Sequence, residues 1–218
     1  MCKLMKTVLI TGVSRGLGHA IATAFAAREF ETIGIARSPC EIEGVRTVQL
    51  DVTDEPAVIS FVESLDNLDV VVNNAGIARS RPLLETSTDE LREILEVNLI
   101  AAFVMMREAA RRMTAGGSGL IINVASDAAI KGIPGMGPYV ASKHALLGLG
   151  RSVSDELRKS GLRICTYCPG GIDTEILGPG KGNPKALNTE HIARTIVHLA
   201  ELPAEMEVQE MLVQPMLI

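Results

Sequence analysis

The sequence predicts an α/β protein: one domain built on a doubly wound parallel sheet of about seven strands, with helices on both faces. Three observations lead there. Short β-rich runs alternate with helical stretches from end to end. A glycine-rich turn follows the first apolar run directly and opens a helix. The 218 residues, 47% hydrophobic and 22% charged, contain no Pro/Ser-rich linker, charge run or low-complexity segment that would divide them.

The elements follow in order. The apolar run 7–10 makes the first strand and stops at Thr11 and Gly12, where the chain turns into a helix over 16–28. Strands over 32–36 and 47–50 come next. Only thirteen residues lie between Arg37 and Asp51, which reads as a loop and leaves little room for a helix between these strands. Asp54 is a candidate N-cap for a helix over 56–64. A strand at 70–73 precedes helices over 89–98, with Thr88 as candidate cap, and over 100–114. Strand 120–124, a long helix over 139–159, strand 162–168, a helix over 189–200 capped by Asn188, and strand 211–214 complete the alternation.

Composition narrows the function. A net charge of -5 and six aromatic residues without tryptophan supply neither a basic footprint nor a stacking platform, so no nucleic-acid partner is expected. The apolar run near the N-terminus is too short for a signal core or a membrane span, which predicts a cytoplasmic protein with no membrane partner. Cys165 and Cys168 lie three apart on a strand, hence on opposite faces, where they cannot share a metal. Cys2 and Cys40 form no second pair, and His19, His144, His191 and His198 form no cluster with ligand spacing. No metal site is expected.

Chemistry is concentrated in two places. The turn Gly12, Val13, Ser14, Arg15, Gly16, Leu17, Gly18 follows a strand and opens a helix, so its backbone can approach a diphosphate and its free N–H groups favour an anion. Tyr139 and Lys143 stand four apart on a predicted helix, one turn from each other on the same face. Free tyrosine titrates near pH 10, and half-ionising it at pH 7 takes about 4 kcal/mol. A cation about 4 Å away at an effective dielectric near 20 supplies about that much, so Lys143 is expected to depress the Tyr139 pKa.

These residues resemble the short-chain dehydrogenase/reductase family, whose glycine turn reads G-x-x-x-G-x-G. The resemblance continues through Asn73, Asn74, Ala75 and Gly76, then Asn98, Ser126, the pair Tyr139 and Lys143, and Pro169 with Gly170, and it covers nearly the whole chain. It implies a single-domain Rossmann fold and an oxidoreductase that moves a hydride between a nicotinamide and a ketone, aldehyde or secondary alcohol. It implies a catalytic tetrad. Tyr139 exchanges a proton with the substrate oxygen, Ser126 hydrogen-bonds that oxygen, Lys143 serves the tyrosine and the nicotinamide ribose, and Asn98 holds a water linking Lys143 to solvent. Without that context Ser126 reads as a strand end, Asn98 as a helix C-cap and Gly76 as a turn residue.

The same resemblance assigns the cofactor contacts to Gly12, Ser14, Arg15, Gly16, Leu17, Gly18, Arg37, Asp51, Val52, Asn74, Ala75, Gly76, Tyr139, Lys143, Pro169, Gly170, Ile172 and Thr174. NAD-binding relatives carry an acid at the end of the second strand. Here Ala36 occupies that place and Arg37 follows, with Arg15 a second cation and Glu31 at the wrong end of the strand, which favours NADP(H) over NAD(H).

Ile130, Ile133, Pro134, Met136 and Ile172 are candidate pocket walls, with 174–187 a Gly/Pro-rich substrate loop. Arg79 and Arg81 are weighed as an anion lure and read as solvated loop residues. The apolar C-terminus is expected to pack on its own domain or a neighbouring subunit, and the resemblance implies a homodimer or homotetramer through helices 100–114 and 139–159. The competing reading is a sensor that binds the dinucleotide without turnover. It is disfavoured because sensors built on such folds lose the Tyr/Lys pair.

Overall fold

The computed structural model describes residues 5–172, 176 and 186–216. Seven strands form one sheet: β1 (Lys6–Thr11), β2 (Phe30–Ala36), β3 (Val45–Gln49), β4 (Val70–Asn73), β5 (Gly119–Val124), β6 (Leu162–Pro169) and β7 (Glu210–Val213). Their spatial order is β3-β2-β1-β4-β5-β6-β7 and every pairing is parallel. The order reverses between β1 and β4. Such a switch point opens a crevice at the carboxyl ends of the strands, where open α/β sheets bind ligands.

Helices α1 (Gly16–Ala26) and α6 (Thr189–Glu201) cover one face, while α2 (Glu55–Glu63), α4 (Ala101–Gly116) and α5 (Gly137–Leu157) cover the other. Strand residues sort by the two-residue period. Val8, Ile10, Val72, Ile122 and Tyr167 pack towards α1 and α6, and Leu9, Val71, Ile121 and Ile164 towards α2 and α4. Cys165 joins the first of these clusters and Cys168 a separate one with Leu146 and Leu147, so the two thiols do face apart. All four histidines are exposed positions on helices.

The chain passes from β2 to β3 through residues 37–44 with no helix. A parallel crossover normally carries one, which covers the sheet on its way back. Without that cover, no residue of β3 is fully buried, whereas β4 is buried throughout.

Two details differ from the sequence reading. Ser87 caps α3 (Thr88–Leu95), accepting the Glu90 N–H at 3.1 Å, so the cap lies one residue before Thr88. Its side chain reaches forward to the third residue on, as an N-cap must. Asp54 and Asn188 cap α2 and α6 as expected. The helices predicted at 89–98 and 100–114 are one continuous run, α3 and α4 joined by a π-helical turn at Glu96–Ile100. Asn98 sits inside that turn and is not a C-cap. π turns bring one extra residue into a helix and cluster at functional sites.

The C-terminal segment pairs as a seventh strand, with Met211 and Val213 packed on the α1/α6 side. Leu212 and Met216 remain exposed. Among the described residues no helix is long and apolar enough to cross a membrane.

Candidate active site

The glycine turn after β1 is shaped by its neighbours. Gly12 and Gly16 have φ of 76° and 61°, in the left-handed region that favours glycine. A Cβ on Gly12 would come within 2.8 Å of Ala75 Cα, and one on Gly18 would run into the Gly12 carbonyl. The turn therefore lies directly against the segment after β4, and hydrogen bonds lock the two together. Thr11 Oγ1 accepts from the Asn74 and Ala75 backbone N–H groups, both at 3.0 Å, while Asn74 Nδ2 donates to Thr11 O at 2.9 Å and to Gly12 O at 3.3 Å. Sequence reading missed Thr11. Its signal was a buried hydroxyl at the last residue of an apolar strand.

At the start of α1, Arg15 is the N-cap and offers no side-chain acceptor, and the first turn holds no acidic residue. The first N–H groups of that helix thus lack a side-chain partner and point into the crevice, the arrangement that receives an anion. The Leu17 side chain is buried in the core, which leaves its backbone to serve the crevice. Ser14, Arg15 and Arg37 are exposed around it, and Ala36 is buried. Asp51 Oδ1 accepts from Thr53 N and Oγ1 at 3.0 and 2.8 Å, and these bonds, with Arg37 nearby, hold its carboxyl below the usual range. Val52 lines a small cavity with Thr11, Ala75 and Val97, so Val97 joins this side of the crevice without having been foreseen. Glu31 accepts from Thr7 Oγ1 at the far end of β2, away from the crevice.

Across the switch point the candidate tetrad converges. Ser126 follows β5 and caps a short 3-10 turn, its Oγ accepting from Ala128 N at 3.1 Å. Tyr139 and Lys143 lie on one face of α5, with the lysine Nζ 5.7 Å from the phenol ring centroid. Lys143 Nζ donates to Val124 O at 3.0 Å. Asn98 is 1% exposed; its Oδ1 accepts from Ile77 N at 2.8 Å, and its Nδ2 donates to Ile77 O at 2.9 Å and Ser142 Oγ at 3.0 Å. Ser142 in turn donates to Tyr139 O at 2.7 Å, which ties the π turn to α5. Gly76 lies against both partners, since a Cβ there would sit 3.3 Å from Asn98 Oδ1 and 3.7 Å from Lys143 Nζ.

The electrostatics correct one expectation. Burial pushes the Tyr139 phenol above its ordinary value, opposed by the facing Ser126 hydroxyl and reinforced by the charge of Asp127. Lys143 does not depress it. The lysine is itself desolvated and pushed down to about 8. Both groups are buried together, and removal from water disfavours the charged form of each. The Asn98 side-chain amide is likewise committed to Ile77 and Ser142, so it braces the site, and a water held for Lys143 would need another atom of that turn.

The outer residues are divided. Arg79 makes a two-pronged pair with Glu93 at 2.6 and 2.8 Å, and Arg81 pairs with Glu90 at 3.1 Å, so α3 neutralises both cations. Met136 is buried with Tyr139 and Ala128, supporting the phenol ring instead of lining a pocket, and Ile133 packs on the same cluster. Ile130 and Pro134 are exposed. Pro169 and Gly170 end β6 beside β7, where Gly170 N donates to Val213 O at 2.7 Å. Ile172 packs on the α1/α6 cluster and forms an isolated bridge with Leu187. Thr174 and, apart from Ile176, Ala186 and Leu187, the rest of the 174–187 loop lie outside the described residues. A hollow of about 640 Å³ between the ends of α2 and α4, lined by Asp66, Arg111 and Ser118, sits at the amino ends of β4 and β5, the opposite end of the strands from the crevice.

Known proteins resemble the chain in sequence and in fold. The short chain dehydrogenase family matches residues 6–183. L-2,3-butanediol dehydrogenase of Corynebacterium glutamicum is 35% identical over 190 residues, covering 78% of this chain and 73% of that protein. An alcohol dehydrogenase from the archaeon Thermococcus sibiricus, complexed with 5-hydroxy-NADP, superposes with a TM-score of 0.88 at 31% identity over 97% of each chain. A 4-hydroxyisoleucine dehydrogenase complexed with NADH superposes with a TM-score of 0.85 at 28% identity, covering 96% of this chain and 97% of that one. The chain belongs to the short-chain dehydrogenase family of oxidoreductases.

Proposed function

We propose that the protein is an NADP(H)-dependent carbonyl reductase, interconverting a ketone or aldehyde and its alcohol. The convergence of Ser126, Tyr139 and Lys143 beside the glycine turn carries this reading. The crevice fits a nicotinamide dinucleotide. Its glycine turn has no room for side chains at Gly12 and Gly18, and the N-terminus of α1 is uncapped by any side chain. Gly12, Ser14, Gly16, Leu17 and Gly18 would hold the diphosphate, Asp51 and Val52 the adenine side, and Asn74, Ala75 and Gly76 the ribose side. When bound, the cofactor supplies or accepts the hydride.

The residues of the chain manage the proton. A phenol whose ionisation is made harder by burial keeps its proton near neutral pH, so Tyr139 is set to donate to a carbonyl oxygen, the direction of reduction. Ser126 orients that oxygen. Lys143, held at about 8, exchanges its own proton close to working pH. The preference for NADP(H) rests on Ala36 and Arg37, since a guanidinium at the end of β2 suits a 2'-phosphate and no carboxylate stands there for a 2'-hydroxyl. Solved relatives with NADP-type and NADH ligands both resemble the chain, so this preference is argued from its own residues. Exposed Ile100 and Phe103 on the π turn and α4 support assembly as a homodimer or homotetramer.

The test is NADPH consumption across aldehydes, ketones, quinones and pterins, with Tyr139→Phe run beside the wild type. Turnover by the wild type alone supports the reading and names a substrate class. Turnover retained by Tyr139→Phe removes the tyrosine from the mechanism, and tight NADPH binding without turnover on any substrate favours the sensor.

A further inference from the structure

Asp127 follows Ser126 directly, and its side chain is nine-tenths buried. One oxygen faces the serine: Ser126 Oγ donates to Asp127 Oδ1 at 3.2 Å. The other is held from two sides, by Lys131 Nζ at 2.5 Å and by Gln214 Nε2 at 3.3 Å. Gln214 lies just beyond β7, in a segment anchored where Gly170 N donates to Val213 O and where Pro215 packs against Gly170. The residues after the last strand thus touch the reaction centre through a single carboxylate.

A serine hydroxyl has one proton to give. Ala128 N–H already occupies one acceptor direction of Ser126 Oγ, which leaves one lone pair to receive and the single proton to give, so whichever partner takes that proton denies it to any other acceptor. While Asp127 takes it, Ser126 can accept from Tyr139 but cannot donate to a substrate oxygen. A buried carboxylate beside a phenol also opposes phenolate formation. Its charge is countered by Lys131, half exposed on the following loop. The other titratable groups packed around this turn are Tyr139 and Lys143 on α5 and Cys168 on β6.

We propose that Asp127 is a positioning residue that directs the Ser126 proton and sets the pH at which Tyr139 ionises, with Lys131 and Gln214 tuning it, so that the segment after β7 is part of the active site. This rests on Tyr139 being the acid of the proposed reaction. Asp127→Asn keeps the size of the side chain and removes its charge, which lowers the Tyr139 ionisation pH by about one unit. Lys131→Met leaves the carboxylate unopposed and raises it by roughly half a unit. Gln214→Met moves it the same way by less.

The chain has two tyrosines, so ultraviolet phenolate titration of each variant, minus the curve of Tyr139→Phe, isolates Tyr139. Circular dichroism at each pH restricts the fit to folded protein. The falling limb of the reduction rate against pH should shift with the titration. Opposite shifts for Asp127→Asn and Lys131→Met support the proposal; coincident curves, or shifts in the same direction, overturn it. Activity surviving in Tyr139→Phe would instead remove Tyr139 as the acid of the proposed reaction, while the titration would still report on Asp127.

Discussion

The crevice has two sides, built differently. On the side of β4, β5 and α5, each polar group is held by others, with Asn98 and Lys143 buried and Ser126 half-buried: Asn98 by Ile77 and Ser142, Lys143 by Val124, Ser126 by Ala128 and Asp127. On the side of β2 and β3 the connection is a bare loop, β3 is half-covered, and Arg37 stands in solvent. Reaction geometry must hold within fractions of an ångström to be useful, and burial with interlocking hydrogen bonds provides that. Choosing between cofactors requires only a charge of the right sign near a phosphate.

If the closed side does the chemistry, its substitutions should be severe and confined to rate. Tyr139→Phe removes the proton donor alone, so kcat should fall by about 10²–10⁴-fold with NADPH affinity nearly unchanged in fluorescence titration. A parallel loss of affinity would show that the phenol belongs as much to cofactor binding as to catalysis.

The closed side should also carry a stability cost. Lys143 is pushed from 10.5 to about 8 in the folded chain, so between these values the unfolded state binds the extra proton and stability rises with pH. Relative to Lys143→Met, which has nothing to titrate, the wild type should gain about 3 kcal/mol between pH 8 and 10.5. Urea midpoints of the two proteins at a series of pH values measure this. A constant difference would mean that the lysine is hydrated in solution.

The smallest effect belongs to the open side. Arg37→Asp should weaken NADPH by roughly 10–100-fold, the loss of one or two charge-assisted bonds, while NADH binding stays within a few-fold. Equal losses for both cofactors would assign Arg37 to general attraction instead of phosphate reading.

Much of this was legible from the residues. The glycine turn, the paired Tyr139 and Lys143 and the missing helix before β3 could be read because each depends on local spacing: a turn directly after a strand, one helical turn, too few residues for a helix; Ser126 was reached only through the family resemblance. The alternation of apolar runs likewise determined the parallel sheet, since strands covered on both faces leave few other solutions.

What only tertiary structure decided are matters of who meets whom across the chain. Thr11 joins two loops 63 residues apart, Asn98 spends its amide on Ile77 and Ser142, and Gln214 reaches Asp127 over 87 residues. The ionisation of Tyr139 was misjudged from sequence for the same reason. The spacing to Lys143 states how near a cation is, but the water lost by both groups depends on everything that packs around them, and here burial is the largest influence on each.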